Sequence, residues 1–535
     1  MTAESVEFDY TALRDRWYAQ GWYTSRTCID AFERAAVEHA DKPVVFVAEG
    51  NETTVTVSAI HDAALAIAGG MQRLGLRAGD AVAVQLTNRF ECAVAYQAVL
   101  MCGAVLVPIV HGYGPNEVKF ILAESRASML IMPARFRSTA YLERVAGYSE
   151  LPTLDHVVVV GAAESGPGYL AWQELAADSA DYALPAVHSD DVCALLYTSG
   201  TVSAPKGVQH SHNSLLAEQT TLPDLLAGGS DDVQLVTFPP GHIAGLNSML
   251  RPLTSGIRSV FLDHWDPELA AELIARFAVT GTSGAPFHLY GLLQLQDVTA
   301  KLATLREFLT GAAPVTDELG RQAAAAGIVA YRCYGMTEHP TVTGARADDP
   351  LDVRMGTDGP PMSGCAVRVL DSDGAGQPPG VDGEVVVRGP DQFVGYRDPA
   401  LNVGAFTADG WFRTGDLGHL DAGGRLTITD RIKDVIIRGG ETISSGQIED
   451  VLHSHSAVAE AAVVAAPDPR YGEVVAAVVV LKAGAALDIA ELRQYFETAG
   501  LARQKTPERL VVVDSLPRTA LGKVRKADLR ARHFR

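Results

Sequence analysis

A single lysine, Lys206, stands in the segment Leu195-Leu-Tyr-Thr-Ser-Gly-Thr-Val-Ser-Ala-Pro-Lys-Gly-Val208, where an apolar run gives way to hydroxyls and glycines. Such a strand-to-loop segment can wrap a polyphosphate. Small residues such as Gly200 let backbone N–H groups approach phosphate oxygens, Thr198, Ser199 and Thr201 add donors, and Lys206 supplies a compact cation. It is not a Walker A loop, because there the lysine follows the second glycine, whereas Lys206 precedes Gly207. Alone, the stretch would be better explained by a flexible Ser/Gly surface loop.

Four further segments follow it in order: Tyr334-Gly-Met-Thr-Glu338, Thr414-Gly-Asp416, Asp430-Arg-Ile-Lys-Asp-Val-Ile-Ile-Arg-Gly-Gly440 and Pro517-Arg-Thr-Ala-Leu-Gly-Lys523. Five such segments in this order resemble the signatures of the adenylate-forming superfamily, which holds acyl-CoA synthetases, peptide-synthetase adenylation domains and luciferases. Gly79-Asp80, Asn88 and Gly103-Ala104 fit upstream, so the resemblance spans nearly the whole chain.

The resemblance implies ATP, Mg²⁺ and coenzyme A as ligands, with a role for each matched residue. Glu338 is similar to the magnesium carboxylate, with Thr198 beside it, and hard oxygen donors are what Mg²⁺ requires. Thr337 would donate to the α-phosphate. Tyr334 would stack on adenine with Gly335 and Met336 beside it, and Gly311-Ala312-Ala313-Pro314 would line the other side of the base. Asp416 matches the carboxylate that receives both ribose hydroxyls, and Arg431 would add a ribose or phosphate contact. Lys523 resembles the lysine that bridges the substrate carboxylate and the α-phosphate, where a cation offsets repulsion between two anions. Lys433 matches the hinge of a C-terminal lid, and Gly439-Gly440 the pair that lets pantetheine approach the backbone.

His242, in Pro239-Pro-Gly-His-Ile-Ala-Gly245, is similar to the family position that gates the acyl pocket; a satisfied structural histidine is the alternative. The pairs His210/His212 and His453/His455 have no cysteine or carboxylate at metal-ligand spacing and read as structural. Two positions depart from the family's phosphate loop: Val202 stands where threonine is usual and Ser203 where glycine is usual. Past the paired glycines, Glu441-Thr-Ile-Ser-Ser445 also differs from the common form.

These residues need rigid elements to hold them. From Thr53 to Pro133 helix-period segments alternate with Val/Ile/Leu runs, as in helix Val57–Leu74 and strand Ala81–Gln85, which predicts parallel sheets covered by helices. A second α/β run extends from Val192 to about Val342. Between Ala347 and Asp430 short strands punctuated by Gly, Pro and Asp predict a small β-rich subdomain. A compact unit of a helix at Ser444–Leu452 and strands at Ala461–Ala465 and Val474–Leu481 follows. The expected fold is therefore α/β: a large N-terminal domain, 1–432, with subdomains about 1–185, 186–345 and 346–432, and a small mobile α+β lid, 433–535.

Composition agrees with a folded enzyme. The 535 residues are 47% hydrophobic and 20% charged, too long for one core and too apolar for disorder. A net charge of −20 argues against a nucleic-acid or acidic-lipid surface. Six scattered cysteines without C-x-x-C spacing, and a start without a signal-peptide pattern, fit a reducing cytoplasm. The charge-free run Ala93–Val110 is split by Gly103 and Pro108 and reads as a buried helix followed by a strand, not a membrane span. A homodimer is compatible with the sequence.

The expected reaction is activation of a carboxylic acid as its acyl-adenylate and transfer of the acyl group to coenzyme A. Loading of a carrier protein ranks second, a luciferase-like oxidation third, and a catalytically silent nucleotide-binding homologue is the alternative from another class. Gly241–Met249 has no acidic residue to hold an amine, and Ser283-Gly-Ala-Pro286 offers no cation for a second carboxylate, which favours a neutral hydrophobic acid. Pro108-Ile-Val-His-Gly-Tyr-Gly-Pro115 and Tyr334-Gly-Met-Thr-Glu-His-Pro340 resemble cyclohexanecarboxylate-CoA ligase and its short- and medium-chain relatives, implying an alicyclic, branched or medium-length acid.

Overall fold

The computed structural model describes residues 10–148, 150–198, 205–226, 229, 231–311, 317–438, 441–498, 503–519 and 522–534. Short apolar strands followed by amphipathic helices dictate the N-terminal architecture. The helix Val57–Arg73 is a clear case: the Thr56 side chain accepts from Ala59 N, and Ile60, Ala64, Ile67, Ala68 and Met71 form one buried stripe. The next helix, Phe90–Met101, is buried at every residue from Cys92 to Met101. It packs among its neighbouring helices and gives way to the strand Val105–Pro108, so the charge-free run is core. No helix among the described residues is long and apolar enough to cross a membrane.

Two eight-stranded sheets result. In one, Ala81–Val84, Val105–Pro108, Met129–Pro133, His156–Val160 and Leu170–Ala171 run parallel, and Val192–Thr198 joins parallel to Val105–Pro108. Lys206–Ser211 and Gly395–Tyr396 then add antiparallel at that edge. In the other, Arg258–Leu262, Val233–Val236, Gly281–Gly284, Glu307–Thr310 and Val329–Met336 run parallel, with His339–Gly344 turning back at one edge and the hairpin Pro43–Ala48/Asn51–Thr56 closing the other.

Sheet membership does not follow the expected divisions near 185 and 345. The strands at 192–211 complete the first sheet, and the hairpin at 43–56 belongs to the second. The reason is pairing across the topology: Val44–Val47 align with Ser259–Leu262, a partner that local periodicity cannot reveal.

The strands Ala366–Leu370, Gly383–Arg388, Phe412–Leu420 and Leu426–Arg431 form a separate four-stranded antiparallel sheet. The last unit is a five-stranded sheet built from residues 436–512. Its long hairpin, Val458–Asp468 with Gly472–Leu481, has an irregularity between Val458 and Glu460 and alternates between two faces from Ala461 onward. Val463, Ala465, Val475, Ala477 and Val479 meet the helices Ser445–His453 and Ile489–Thr498, while Ala462, Val464, Ala476 and Val478 meet Leu529 of the helix Lys526–His533. This unit therefore has its own core.

Candidate active site

The phosphate-loop hairpin is anchored by its strands. Thr198 ends one strand directly opposite Lys206 at the start of the next, and Ser199, Gly200, Thr201, Val202 and Ser203 between them lie outside the described residues. The Lys206 ammonium is 4.9 Å from the centre of the Tyr396 ring. Behind the hairpin, Arg397 N donates to Gly207 O at 2.8 Å, and Arg397 Nε donates to Glu124 O at 3.0 Å.

The Tyr334–His339 turn faces this hairpin. It joins the antiparallel strands Val329–Met336 and His339–Gly344, with a bulge between Tyr334 and Met336. Gly335 is forced by space: a Cβ there would lie 1.9 Å from Pro340 O. The turn is then tied at successive residues. His210 Nε2 donates to Thr337 O at 2.8 Å, Phe393 N donates to Glu338 O at 2.8 Å, the Tyr396 hydroxyl donates to Glu338 Oε1 at 2.7 Å, and buried His339 Nδ1 bonds Asp391 Oδ2 at 2.9 Å. Burial pushes the His210 pKa down to about 4, so this imidazole is neutral and its Nε2 carries the proton. Burial and Glu338 raise the Tyr396 pKa and keep its phenol a donor.

On the ribose side the small sheet sets Asp416 across from Arg431. Arg431 Nε lies 3.0 Å from Asp416 Oδ1, and the Tyr334 hydroxyl donates to Asp416 Oδ2 at 2.6 Å. Each carboxylate oxygen keeps acceptor capacity for a sugar hydroxyl, since an ionised Asp offers about four lone-pair sites. The Asp416 charge raises the Arg431 pKa, which keeps the guanidinium fixed as a cation. Gly311 directly follows the strand Glu307–Thr310, close to Cys333 Sγ; Ala312, Ala313 and Pro314 lie outside the described residues, as do Gly439 and Gly440.

The C-terminal unit delivers Lys523 into the same cleft. Its turn is closed by Thr519 N donating to Lys523 O at 2.8 Å and Lys523 N donating to Thr519 Oγ1 at 3.2 Å. Gly522 has φ +79°, and a Cβ there would come within 2.9 Å of the Phe287 ring, so the turn lies against the N-terminal domain. The Lys523 side chain is exposed, and desolvation by the neighbouring protein atoms, then Arg431, lower its pKa to about 8. Lys433 is lowered as well, by burial and then by Arg431.

His242 caps the N-terminus of the helix Ile243–Ser255 and lies close enough to Lys523 to feel its charge. Burial first, then Lys523 and His111, take its pKa down to about 3, and its Nε2 is buried without a hydrogen-bond partner among the described residues. It therefore presents a neutral imidazole to the cleft at neutral pH.

Thr198, Lys206, Tyr334, Glu338, Asp416, Arg431, Lys523 and His242 thus line or face one cleft. Tyr396 and Asp391 carried no signal at the level of motifs. His210, read with His212 as structural, bonds the Thr337 carbonyl and so braces the Tyr334–His339 turn. Around His212, buried Cys28 and Cys193, remote in sequence, offer thiols within 4.8 Å of its ring nitrogen and of each other, and Cys28 N donates to its Nδ1 at 3.2 Å. Linear spacing cannot report a cluster assembled from three separate elements.

The chain is similar to known proteins along most of its length. A family model described as AMP-binding enzyme matches residues 32–397, and one described as AMP-binding enzyme C-terminal domain matches residues 447–523. A medium-chain fatty-acid–CoA ligase of Escherichia coli is 35% identical over 97% of this chain and 92% of its own length. A salicyl-AMP ligase/salicyl-S-ArCP synthetase of Mycobacterium tuberculosis is 33% identical over 95% of this chain and 91% of its own. The crystal structure of ATP-bound MatB from Rhodopseudomonas palustris superposes with a TM-score of 0.83 at 29% identity, covering 95% of this chain and 99% of that one.

Proposed function

This chain belongs to the AMP-binding enzyme family, and from that premise we propose that it is an AMP-forming acid–thiol ligase that adenylates a neutral hydrophobic carboxylic acid and passes the acyl group to coenzyme A. The observation that carries the reading is the meeting of Lys523, from the C-terminal unit, with His242, Glu338, Asp416 and Arg431 in one cleft.

In the first half-reaction an oxygen of the acid attacks the α-phosphorus of ATP, and the bond to the departing pyrophosphate breaks. Lys523 lies between the two anions and stabilises the charge that develops as they are pressed together. Asp416 and Arg431 hold the ribose, Tyr334 with Gly311 brackets the base, Thr337 donates to the α-phosphate, and Lys206 binds the outer phosphates. Glu338 suits Mg²⁺, for it is a hard oxygen donor of which Tyr396 engages one oxygen, and with Thr198 it would hold the ion. When bound, Mg²⁺ neutralises charge on the triphosphate. In the second half-reaction the thiolate of coenzyme A attacks the acyl carbon and AMP leaves. Rotation of the lid, 433–535, about Lys433 would withdraw Lys523 and bring Gly439-Gly440 to the cleft.

His242, neutral and half-buried, borders the acyl side and offers no charge to hold an amine or a second carboxylate. A medium-length, branched or alicyclic acid fits, and the likeness to the Escherichia coli ligase supports it. Coenzyme-A-dependent AMP formation measured across cyclohexanecarboxylate, octanoate, palmitate, benzoate and phenylalanine tests this. Preference for cyclohexanecarboxylate or octanoate is expected, and preference for palmitate or phenylalanine overturns the substrate class. The Mycobacterium tuberculosis relative gives weight to one rival, loading of a carrier protein. Acyl-adenylate formed without turnover by coenzyme A would favour that rival.

A further inference from the structure

One buried side chain touches both the carboxylate offered to the cation and the lysine offered to the phosphates. Tyr396 is 4% exposed, its hydroxyl lies 2.7 Å from Glu338 Oε1, and the Lys206 ammonium lies 4.9 Å from its ring centre. We propose that Tyr396 is a positioning residue of the metal–phosphate site: its hydroxyl holds one oxygen of Glu338 so that the other faces the cation, and its ring carries the Lys206 ammonium. The inference rests on the reading of Glu338 as the metal carboxylate.

Three observations separate this from ordinary core packing. First, the backbone around Tyr396 is bonded to both halves of the site. Val208 pairs with Tyr396 and Gln209 with Gly395 on the phosphate-loop side, while Phe393 N donates to Glu338 O at 2.8 Å on the other. The distance between the lysine strand and the carboxylate turn is thereby set by one short segment. Second, the ring is packed and its backbone is anchored. Phe393 packs edge-on at 4.9 Å, and Tyr396 N donates to Asn402 Oδ1 at 2.8 Å. Third, Glu338 Oε1 accepts from Tyr396, whereas Oε2 accepts no hydrogen bond from another described residue. A carboxylate held by one oxygen presents the other in a fixed direction, and the partners that orient a ligating carboxylate typically account for 10–100-fold in metal affinity. A cation over an aromatic face is likewise held without its charge being neutralised, so the lysine remains available to phosphate.

The test compares Tyr396→Phe, Tyr396→Leu, Glu338→Gln and the double variant Tyr396→Phe/Glu338→Gln in the full chain. Mn²⁺, standing in for Mg²⁺, is titrated into the complex with a non-hydrolysable ATP analogue and followed by electron paramagnetic resonance. Analogue affinity without metal is measured by calorimetry, and circular dichroism checks folding. Tyr396→Phe keeps the ring and should weaken Mn²⁺ binding about tenfold or more, with metal-free analogue affinity unchanged within about twofold. Tyr396→Leu should also weaken metal-free analogue binding, because Lys206 loses its support. The double variant should bind Mn²⁺ no more weakly than Glu338→Gln alone. Should the leucine variant not fold, the phenylalanine and double variants decide the matter. If Glu338→Gln loses Mn²⁺ affinity and Tyr396→Phe does not, the positioning role is overturned while the metal carboxylate stands. If neither loses it, the reading of Glu338 fails, and the inference with it.

Discussion

Replacing Lys523 by alanine removes the cation that the Thr519–Lys523 turn delivers to the cleft, and leaves the cores of both units untouched. The expected cost follows from its surroundings. Loss of a preorganised charge stabiliser costs on the order of 3 kcal/mol, or roughly a hundredfold in the adenylation rate. The pH dependence carries a sharper signature. Desolvation by neighbouring protein atoms and Arg431 lower the Lys523 pKa from 10.5 to about 8, so its charge is present below pH 8 and lost above it, well before a lysine in water would lose it. ATP–pyrophosphate exchange measured from pH 6 to 10 should show kcat/KM, which reports the free enzyme, falling about tenfold per unit above pH 8. The limb in kcat should lie higher, because a bound triphosphate adds negative charge beside the ammonium. In Lys523→Ala the exchange should drop and the alkaline limb should vanish, while thioester formation from presynthesised acyl-adenylate continues. An alkaline limb near pH 8 that persists in the variant, or equal loss of both half-reactions, would refute the assignment.

Lys433→Pro fixes φ at the proposed hinge, so pyrophosphate exchange should persist while acyl-CoA formation collapses; unchanged acyl-CoA output would place the hinge elsewhere. Asp416→Asn turns one accepting oxygen into a donor facing Arg431, the ribose hydroxyls or Tyr334. A loss of about 2 kcal/mol, roughly thirtyfold in the KM for ATP, should result, and an unaltered KM would remove Asp416 from the ribose site. Gly335→Ala places a Cβ 1.9 Å from Pro340 O, so the turn must open; adenylation should fall by more than an order of magnitude and thermal denaturation should show a lowered midpoint.

Motifs that are local in sequence were legible, because each packs several contacts into a few residues. Thr198 and Lys206 flank one hairpin, Tyr334 and Glu338 one turn, and Asp416 and Arg431 one strand pair. Elements with a strong period were legible too: the expected helix Val57–Leu74 is Val57–Arg73, and the expected strand Ala81–Gln85 is Ala81–Val84. Residues that act through a distant partner were not. Tyr396 follows a glycine in a two-residue strand, and nothing nearby hints at Glu338. His210 looked like one of a bland pair because its partner, the Thr337 carbonyl, is a backbone atom that no residue type advertises. The membership of the 43–56 hairpin in the second sheet was hidden for the same reason, since register between remote strands is decided by packing.

The two-residue strand Gly395–Tyr396 also bears on how the chain is made. It seals the edge of a sheet whose adjoining strand, Lys206–Ser211, leaves the ribosome much earlier: Gln209 and Gly395 are 186 residues apart. Until the later segment emerges, the lysine strand is an open edge with unpaired amides and carbonyls, the kind of template on which nascent chains associate wrongly. Such long-range closure is slow, because the loop entropy is spent before the contact returns anything. Truncations that stop short of residue 396 should therefore aggregate even though most of both large sheets is present, and a chaperone that shields the Lys206–Ser211 edge during synthesis should raise the yield of the full chain.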